Sequence, residues 1–180
     1  AIEEDKKDWE EEKILYYLKE RFKINVLTEK DKENIKELLD FYEKIGFDLV
    51  PLARNSKIPI EKEWTTKSHK DPKQWMEWVE NGLNLGAKTG KISNITVLDI
   101  ETKQIPEEIM DLIEEETLIQ NTKRGYHLIY KYVSSLPKTS LPQYNLDIEN
   151  DGGQIVIAPS VVDEYKREFV KLIEPKEMPE

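Results

Sequence analysis

The hydrophobic and polar positions of the chain change their period along its length, from helical spacing at the start to alternation further on. Apolar residues three or four apart, with acids early and bases late, predict a helix over residues 8–22. A second helix is predicted over residues 28–46, where cap residues stand at both ends. A third is predicted over residues 71–82, with Asp71 as N-cap and Pro72 in the first turn.

Short apolar runs bounded by glycine, proline, asparagine and aspartate follow, and they predict strands. The NDGG sequence is a strong turn signal and predicts a β-hairpin over residues 145–160. The other predicted segments are a strand at 47–53, a polar loop at 55–70, a loop or short strand at 84–94, a strand at 95–101, a helix at 106–116, a strand–turn–strand unit at 117–132 and a final strand at 164–173. Helices lead and strands dominate later, which predicts a mixed α+β or α/β fold.

Composition excludes several classes of protein. The 180 residues contain no cysteine, which removes disulfides, thiolate zinc sites and cysteine nucleophiles together. No segment approaches the roughly 18 apolar residues of a membrane span, so we expect a cytoplasmic protein with no membrane partner. The net charge of −10 counts against nucleic-acid binding, although an acidic site can coexist with a basic groove. Both ends of the chain suggest a piece of a longer protein.

The strand ITVLDIE, residues 95–101, carries two carboxylates. Alternation places Asp99 and Glu101 on the same face of this strand. Two neighbouring acids raise each other's pKa unless a cation lies between them, and oxygen ligands suit Mg²⁺ or Mn²⁺. The alternative is a strand that runs out into solvent and simply exposes Glu101.

A second strand, LDIEND at residues 146–151, also carries acids. Asp147 shares a face with Glu149, and a third carboxylate on a neighbouring strand could complete a two-metal site for phosphoryl transfer. The alternative is a hairpin whose outward face is polar.

The segment NTKRGYHLIY, residues 121–130, brings cations together with an imidazole. Lys123 and Arg124 with His127 could hold a triphosphate, and Gly125 would allow a ligand to approach the backbone closely. The alternative is that His127 is a structural histidine.

Four motifs in this order and spacing resemble the bifunctional primase-polymerase (prim-pol) domain of the archaeo-eukaryotic primase superfamily, found in archaeal plasmid and phage replication proteins. The likeness begins at GFDLVPLARNSKIPI, continues through PKQWMEWV, and includes the three segments above up to about residue 160. It covers most of residues 40–170. It implies a primase-like catalytic sheet with flanking helices over residues 36–180 and an N-terminal helical extension over residues 1–35, which we expect to pack on the catalytic domain without supplying a catalytic group.

The resemblance also assigns roles to residues. The acidic pair of the family matches Asp99 and Glu101, its nucleotide-binding histidine matches His127, and its third acid matches Asp147, with Asp151 as the second choice. The chain has Gly125 where many superfamily members have serine, and it lacks the cysteines of the zinc insertion that some relatives carry.

The resemblance implies template-directed nucleotidyl transfer, as a DNA polymerase or primase, by two Mg²⁺ or Mn²⁺ ions on the three acids. His127, Lys123, Arg124 and Gly125 would bind a dNTP or NTP. The expected partners are a DNA template and primer, together with further domains such as a helicase or helix bundle. Template contacts are expected from basic residues around the site, above all Lys57, Lys88 and Lys91, with Lys62, Lys67 and Lys70 beside them.

Two other functions remain open. A metal-dependent nuclease or phosphodiesterase could use the same three carboxylates and histidine. A catalytically weak DNA- or replisome-binding module could keep the same fold.

Overall fold

The computed structural model describes residues 10–22, 27–111 and 116–179, and three α-helices lie within these ranges. They are α1 (Glu11–Phe22), α2 (Glu29–Ile45) and α3 (Pro72–Glu80). The Asp71 carboxylate accepts a hydrogen bond from the Lys73 backbone N–H at the start of α3, as its predicted N-cap role requires. None of these helices is long and apolar enough to cross a lipid bilayer.

The strands form two main antiparallel sheets. The strands are β1 (Leu49–Leu52), β2 (Asn84–Lys88), β3 (Ile95–Ile100), β4 (Leu118–Asn121), β5 (Tyr126–Lys131), β6 (Thr139–Leu141), β7 (Leu146–Glu149), β8 (Gln154–Ile157), β9 (Val161–Val162), β10 (Tyr165–Lys166) and β11 (Glu168–Phe169). A six-stranded sheet has the order β11-β4-β5-β3-β7-β6, a three-stranded sheet has the order β1-β2-β8, and β9 pairs with β10. The mixed α+β class is confirmed.

The chain divides into two compact units, Ala1–Leu38 and Leu39–Glu180. The first contains α1 and the beginning of α2, where the Thr28 hydroxyl and the Asp31 carboxylate exchange hydrogen bonds with each other's backbone N–H. The second contains all the strands. The proposed accessory role of residues 1–35 stays a prediction.

The predicted hairpin over residues 145–160 is wrong. A turn does form at Asn150–Gly153, but β7 pairs with β3 and β6 while β8 pairs with β2 in the other sheet. The side-chain amide of Asn150 donates to the carbonyls of Val133 and Leu136, and the backbone carbonyl of Asn150 accepts from the Thr89 hydroxyl. These bonds fix the turn so that the chain leaves one sheet and enters the other.

Two further segments differ from their predictions. The helix expected over residues 106–116 begins as a 3₁₀ turn at Glu107–Ile109, and residues 112–115 lie outside the described ranges. The final strand expected over residues 164–173 is broken into β10 and β11, which belong to different sheets. Arg167 lies at the break, where its backbone N–H donates to the Ser160 carbonyl.

In the central strands of the six-stranded sheet, one face is apolar and the other combines polar groups with the buried Val97 and Ile129. The apolar face forms a core cluster of Leu98, Ile100, Leu128, Tyr130, Leu146 and Ile148. Because successive side chains of a strand point to opposite faces, the residues between these lie on the other face. That face carries the predicted acids and His127.

A buried ion pair anchors the polar loop over residues 55–70. Lys88 Nζ lies 3.1 Å from Asp48 Oδ1, and the two side chains are 2% and 0% exposed. Lys88 also donates to the Lys67 carbonyl, while the Asp48 carboxylate accepts from the Ser68 hydroxyl and the His69 backbone N–H. The end of the loop is therefore held by charges in the interior.

Candidate active site

Five residues form a polar row across the six-stranded sheet. Cα pairing runs from Gln120 on β4 to His127 on β5, then to Asp99 on β3, Asp147 on β7 and Ser140 on β6. Directly paired residues of antiparallel strands project from the same face. Antiparallel pairing therefore brings together Asp99, His127 and Asp147, which lie up to 48 positions apart in the sequence.

A cavity of about 300 Å³ opens beside this polar row, at the lower end of the size range of small-molecule sites. Four acidic residues line it, namely Asp99, Glu101, Glu149 and Asp163. The cationic side chains in its wall are Lys57, Lys123, Arg124 and Arg167, and the imidazole of His127 lies beside them. An acidic floor next to several cations suits a ligand that carries both phosphates and a metal ion.

Asp99 and Glu101 have opposite pKa shifts. Burial acts to raise the pKa of Asp99, but His127, a hydrogen bond with Glu101 and the charge of Arg167 together lower it. Burial and then the neighbouring Asp99 raise the pKa of Glu101, although Lys57 and His127 act in the other direction. The pair therefore holds one firmly ionised carboxylate beside one that binds a proton more readily.

The third carboxylate of the site has two candidates in the structure. Asp147 is the direct neighbour of Asp99 in the sheet, but it does not line the cavity. Glu149, two residues further along the same face, does line it, and burial followed by the charges of Asp99 and Asp147 raises the pKa of Glu149. Lys138 Nζ lies 3.9 Å from Glu149 and opposes that shift.

The acids fit a divalent ion by their chemistry. Asp99 Oδ1 is buried and accepts no hydrogen bond within the described ranges, and Asp99 and Glu101 supply only oxygen ligands. In residues 10–22, 27–111 and 116–179, no group of three or more histidine, aspartate or glutamate side chains converges closely enough to hold a metal by itself. Mg²⁺ in proteins usually takes one or two carboxylates and completes its shell with water and substrate phosphates.

His127 is buried beside Asp99, at the edge of the cavity. Its Nε2 lies 3.4 Å from Asp99 Oδ1, and the imidazole is only 6% exposed. Lys123 and Arg124 lie on the exposed turn between β4 and β5 and also line the cavity. Three of the four residues expected to bind nucleotide thus border one cavity.

Close packing against a neighbouring strand requires glycine at position 125. A Cβ at this position would overlap the backbone carbonyl of Ile100 and crowd the Thr102 backbone N–H. Gly125 is buried and is not part of the cavity wall. The close neighbour of Gly125 in the structure is the end of β3, and its contact with a nucleotide stays a prediction.

Arg167 is a cavity residue that the sequence did not reveal. It is 6% exposed, and its Nε and Nη1 are buried without a hydrogen-bond partner in the described part of the chain. Burial lowers the pKa of its guanidinium, while the charges of Asp99 and Glu101 oppose that change. In the sequence YKREF, Arg167 looks like an exposed cation of a surface strand. It lies at the break between β10 and β11, which the sequence pattern does not predict.

Comparison with protein families supplies the class of the domain. Residues 38–180 match the family model described as bifunctional DNA primase/polymerase, N-terminal. The chain belongs to the prim-pol family. Membership indicates a nucleotidyltransferase-type enzyme of replication, with DNA and nucleotides as substrates. A search of curated proteins finds no match for the chain.

Within this prim-pol domain, the lysines predicted to contact DNA fall into different positions. Lys57 is exposed and lines the cavity, and Lys91 is exposed outside the cavity wall. Lys88 is fully buried against Asp48, so the prediction that it contacts DNA is not supported. The remaining loop lysines are exposed, namely Lys62, Lys67 and Lys70.

Asp151, the second choice for the third acid, lies outside the cavity wall of the prim-pol domain. Its carboxylate accepts hydrogen bonds from the Tyr132 hydroxyl at 2.6 Å and from the Lys91 backbone N–H at 2.9 Å. These two bonds lower the pKa of Asp151. Asp151 therefore has a role in the turn and stays apart from the other acids.

Proposed function

We propose that this prim-pol domain catalyses template-directed nucleotidyl transfer, as a DNA polymerase, a DNA primase or both, in the replication of a plasmid, phage or mobile element. The observation that carries the proposal is the pairing of Asp99 with both His127 and Asp147 on one sheet face, beside a cavity with cationic walls. Acids for a metal and cations for phosphates then lie within reach of one small ligand.

The triphosphate of the incoming nucleotide is the natural occupant of the cationic side of the cavity. Lys123 and Arg124 reach it from the exposed turn, and Arg167 reaches it from the buried wall. Guanidinium groups match phosphate geometry by paired N–H donors, which favours in-line placement of the α-phosphorus. His127 adds a further donor close to Asp99.

The acidic side is the proposed metal site, and members of the family are typically metal-dependent. Asp99 and Glu101 would hold Mg²⁺ or Mn²⁺, and Asp147 would contribute to a second ion. When bound, these ions would neutralise charge on the attacking and leaving oxygens of the displacement. Glu149 lines the cavity and is the alternative to Asp147 as third ligand.

The reaction joins the 3′-hydroxyl oxygen of the primer to the α-phosphorus and releases pyrophosphate. The protein contributes positioning and charge stabilisation, and no side chain serves as a nucleophile. This agrees with the lack of cysteine. Lys57, exposed at the edge of the cavity, is well placed to contact the template or primer backbone.

The test is a template-directed extension assay with an end-labelled primer, Mg²⁺ or Mn²⁺, and either dNTPs or NTPs. We expect the label to move to longer products only when nucleotides are present. Products from a bare template would add primase activity. Shortening of the primer without nucleotides would favour a nuclease, and binding of DNA with no change of length would favour a binding module.

A further inference from the structure

The amide of Gln120 connects His127 to the neighbouring sheet. Gln120 is fully buried on β4, where its Cα pairs with that of His127. Its Nε2 donates to the Val156 carbonyl at 2.9 Å and lies 3.0 Å from His127 Nδ1, and its Oε1 accepts from the Ala158 backbone N–H at 2.8 Å. All three amide contacts are therefore made inside the protein.

The two backbone contacts fix which way the Gln120 amide points. The Ala158 N–H can only donate, and the Val156 carbonyl can only accept. A rotated amide would place two oxygens together at Val156 and two N–H groups together at Ala158. The NH₂ group of Gln120 must therefore face His127 Nδ1, which has to accept the hydrogen bond.

This contact determines the state of the imidazole. In a neutral imidazole one nitrogen carries the proton and the other accepts, and the partner of one nitrogen sets the tautomer of the ring. With Nδ1 as acceptor, the proton lies on Nε2, the nitrogen 3.4 Å from Asp99 at the cavity. His127 thus presents an N–H donor on the side of Asp99 and of the cavity that both residues line.

We propose that Gln120 is a positioning residue that holds His127 in the neutral Nε2–H tautomer. This rests on the proposed function to the extent that a phosphate oxygen of the nucleotide is the acceptor for that N–H. The opposite tautomer would offer a lone pair to an anionic phosphate, and binding would weaken. Gln120 therefore acts on the nucleotide through His127, although it lies one strand further from Asp99.

Gln120 also ties β4 to β8, so the experiment must separate positioning from a purely structural role. The chain has two histidines, which makes selective ¹⁵N-histidine labelling simple to interpret. Nuclear magnetic resonance at mildly alkaline pH distinguishes protonated from unprotonated ring nitrogens, and a His69→Gln variant assigns the signals. We expect His127 of the wild-type protein to show a protonated Nε2 and an unprotonated Nδ1. A protonated Nδ1 in the wild-type protein would overturn the proposal, and this result requires neither a variant nor an activity assay.

A second glutamine–histidine pair supplies a matched control. Gln74 Oε1 lies 3.0 Å from His69 Nδ1, outside the cavity wall. We expect Gln120→Leu to shift the His127 signals toward a mixture of tautomers and to leave those of His69 unchanged. Gln74→Leu should change the signals of His69, whose Nε2 also lies 2.9 Å from the Glu61 carboxylate, and leave those of His127 unchanged. Unchanged His127 signals in a folded Gln120→Leu protein would contradict the proposal.

Kinetics then test the link to the nucleotide. We expect Gln120→Leu to raise the nucleotide KM in primer extension about two- to tenfold, as loss of one hydrogen bond predicts. In a His127→Ala background the same change should add nothing further, because the two residues act as one unit. Effects that multiply would assign Gln120 to structure alone. If the wild-type protein extends no primer, the proposed function fails, while the magnetic resonance result still decides the tautomer.

Discussion

Lys88→Met should destabilise the domain strongly, because it leaves a charged carboxylate without its cation in the interior. Asp48 is 0% exposed and Lys88 is 2% exposed, with Nζ and Oδ1 3.1 Å apart. Removing one member of a buried pair costs about 3–5 kcal/mol in the free energy of unfolding. Asp48 keeps its hydrogen bonds from Ser68 and the His69 backbone, so we expect the lower end, about 3 kcal/mol.

For a protein of this size each kcal/mol moves the thermal midpoint by about 2–4 °C, so the variant should melt about 6–12 °C lower. The assay is thermal and urea unfolding of the single variants and of the Asp48→Asn/Lys88→Met double variant. The double variant should recover most of the loss, since no charge remains buried. Lys57→Met is the matched control at an exposed lysine and should leave the midpoint within about 2 °C. A decrease of less than about 2 °C in the thermal midpoint of Lys88→Met would refute the buried-pair reasoning and indicate that Lys88 is exposed to solvent.

Three further predictions concern the cavity and its surroundings. Arg167→Met should raise the nucleotide KM about ten- to hundredfold, because a charged hydrogen bond to phosphate is lost. The control Lys171→Met should leave the nucleotide KM unchanged, and an equal KM for the two variants would contradict the prediction. Gly125→Ala should lower the free energy of unfolding by about 1–3 kcal/mol in urea titrations, because its Cβ overlaps the end of β3, and an unchanged midpoint would be contrary to the structure. Tyr132→Phe should raise the pKa of Asp151 in a carbon-detected titration, because the hydroxyl bond is the main cause of its depression.

The local sequence pattern predicted which residues of each strand share a face, but it could not predict which strands lie next to each other. Alternation placed Asp99 and Glu101 on one face, and it placed Asp147 and Glu149 on one face of their own strand. That β3 lies between β5 and β7 is a property of the sheet order, which no short window of sequence contains. The resemblance to the family connected these segments, and the family match covers residues 38–180.

The failures have physical causes that act over long distances in the chain. The NDGG turn forms as its residues require, but the partners of β7 and β8 lie on different sheets, so local turn chemistry could not show that they diverge. Lys88 resembles any surface lysine until Asp48, forty positions earlier, is placed beside it. Gln120 belongs to the site only through its contacts with His127 on β5 and Val156 on β8. Arg167 belongs to it only because the fold places it in the cavity wall.

The most direct test of the central claim compares Asp99→Asn with Asp151→Asn in template-directed primer extension with Mn²⁺ and dNTPs. Asp99 pairs with His127 and Asp147 and lines the cavity, whereas Asp151 is bonded to Tyr132 outside the cavity wall. We predict that Asp99→Asn abolishes extension while the protein stays folded by circular dichroism, and that Asp151→Asn extends primers at close to the wild-type rate. Extension that survives in Asp99→Asn, or that disappears only in Asp151→Asn, would contradict the placement of the active site on this face of the sheet.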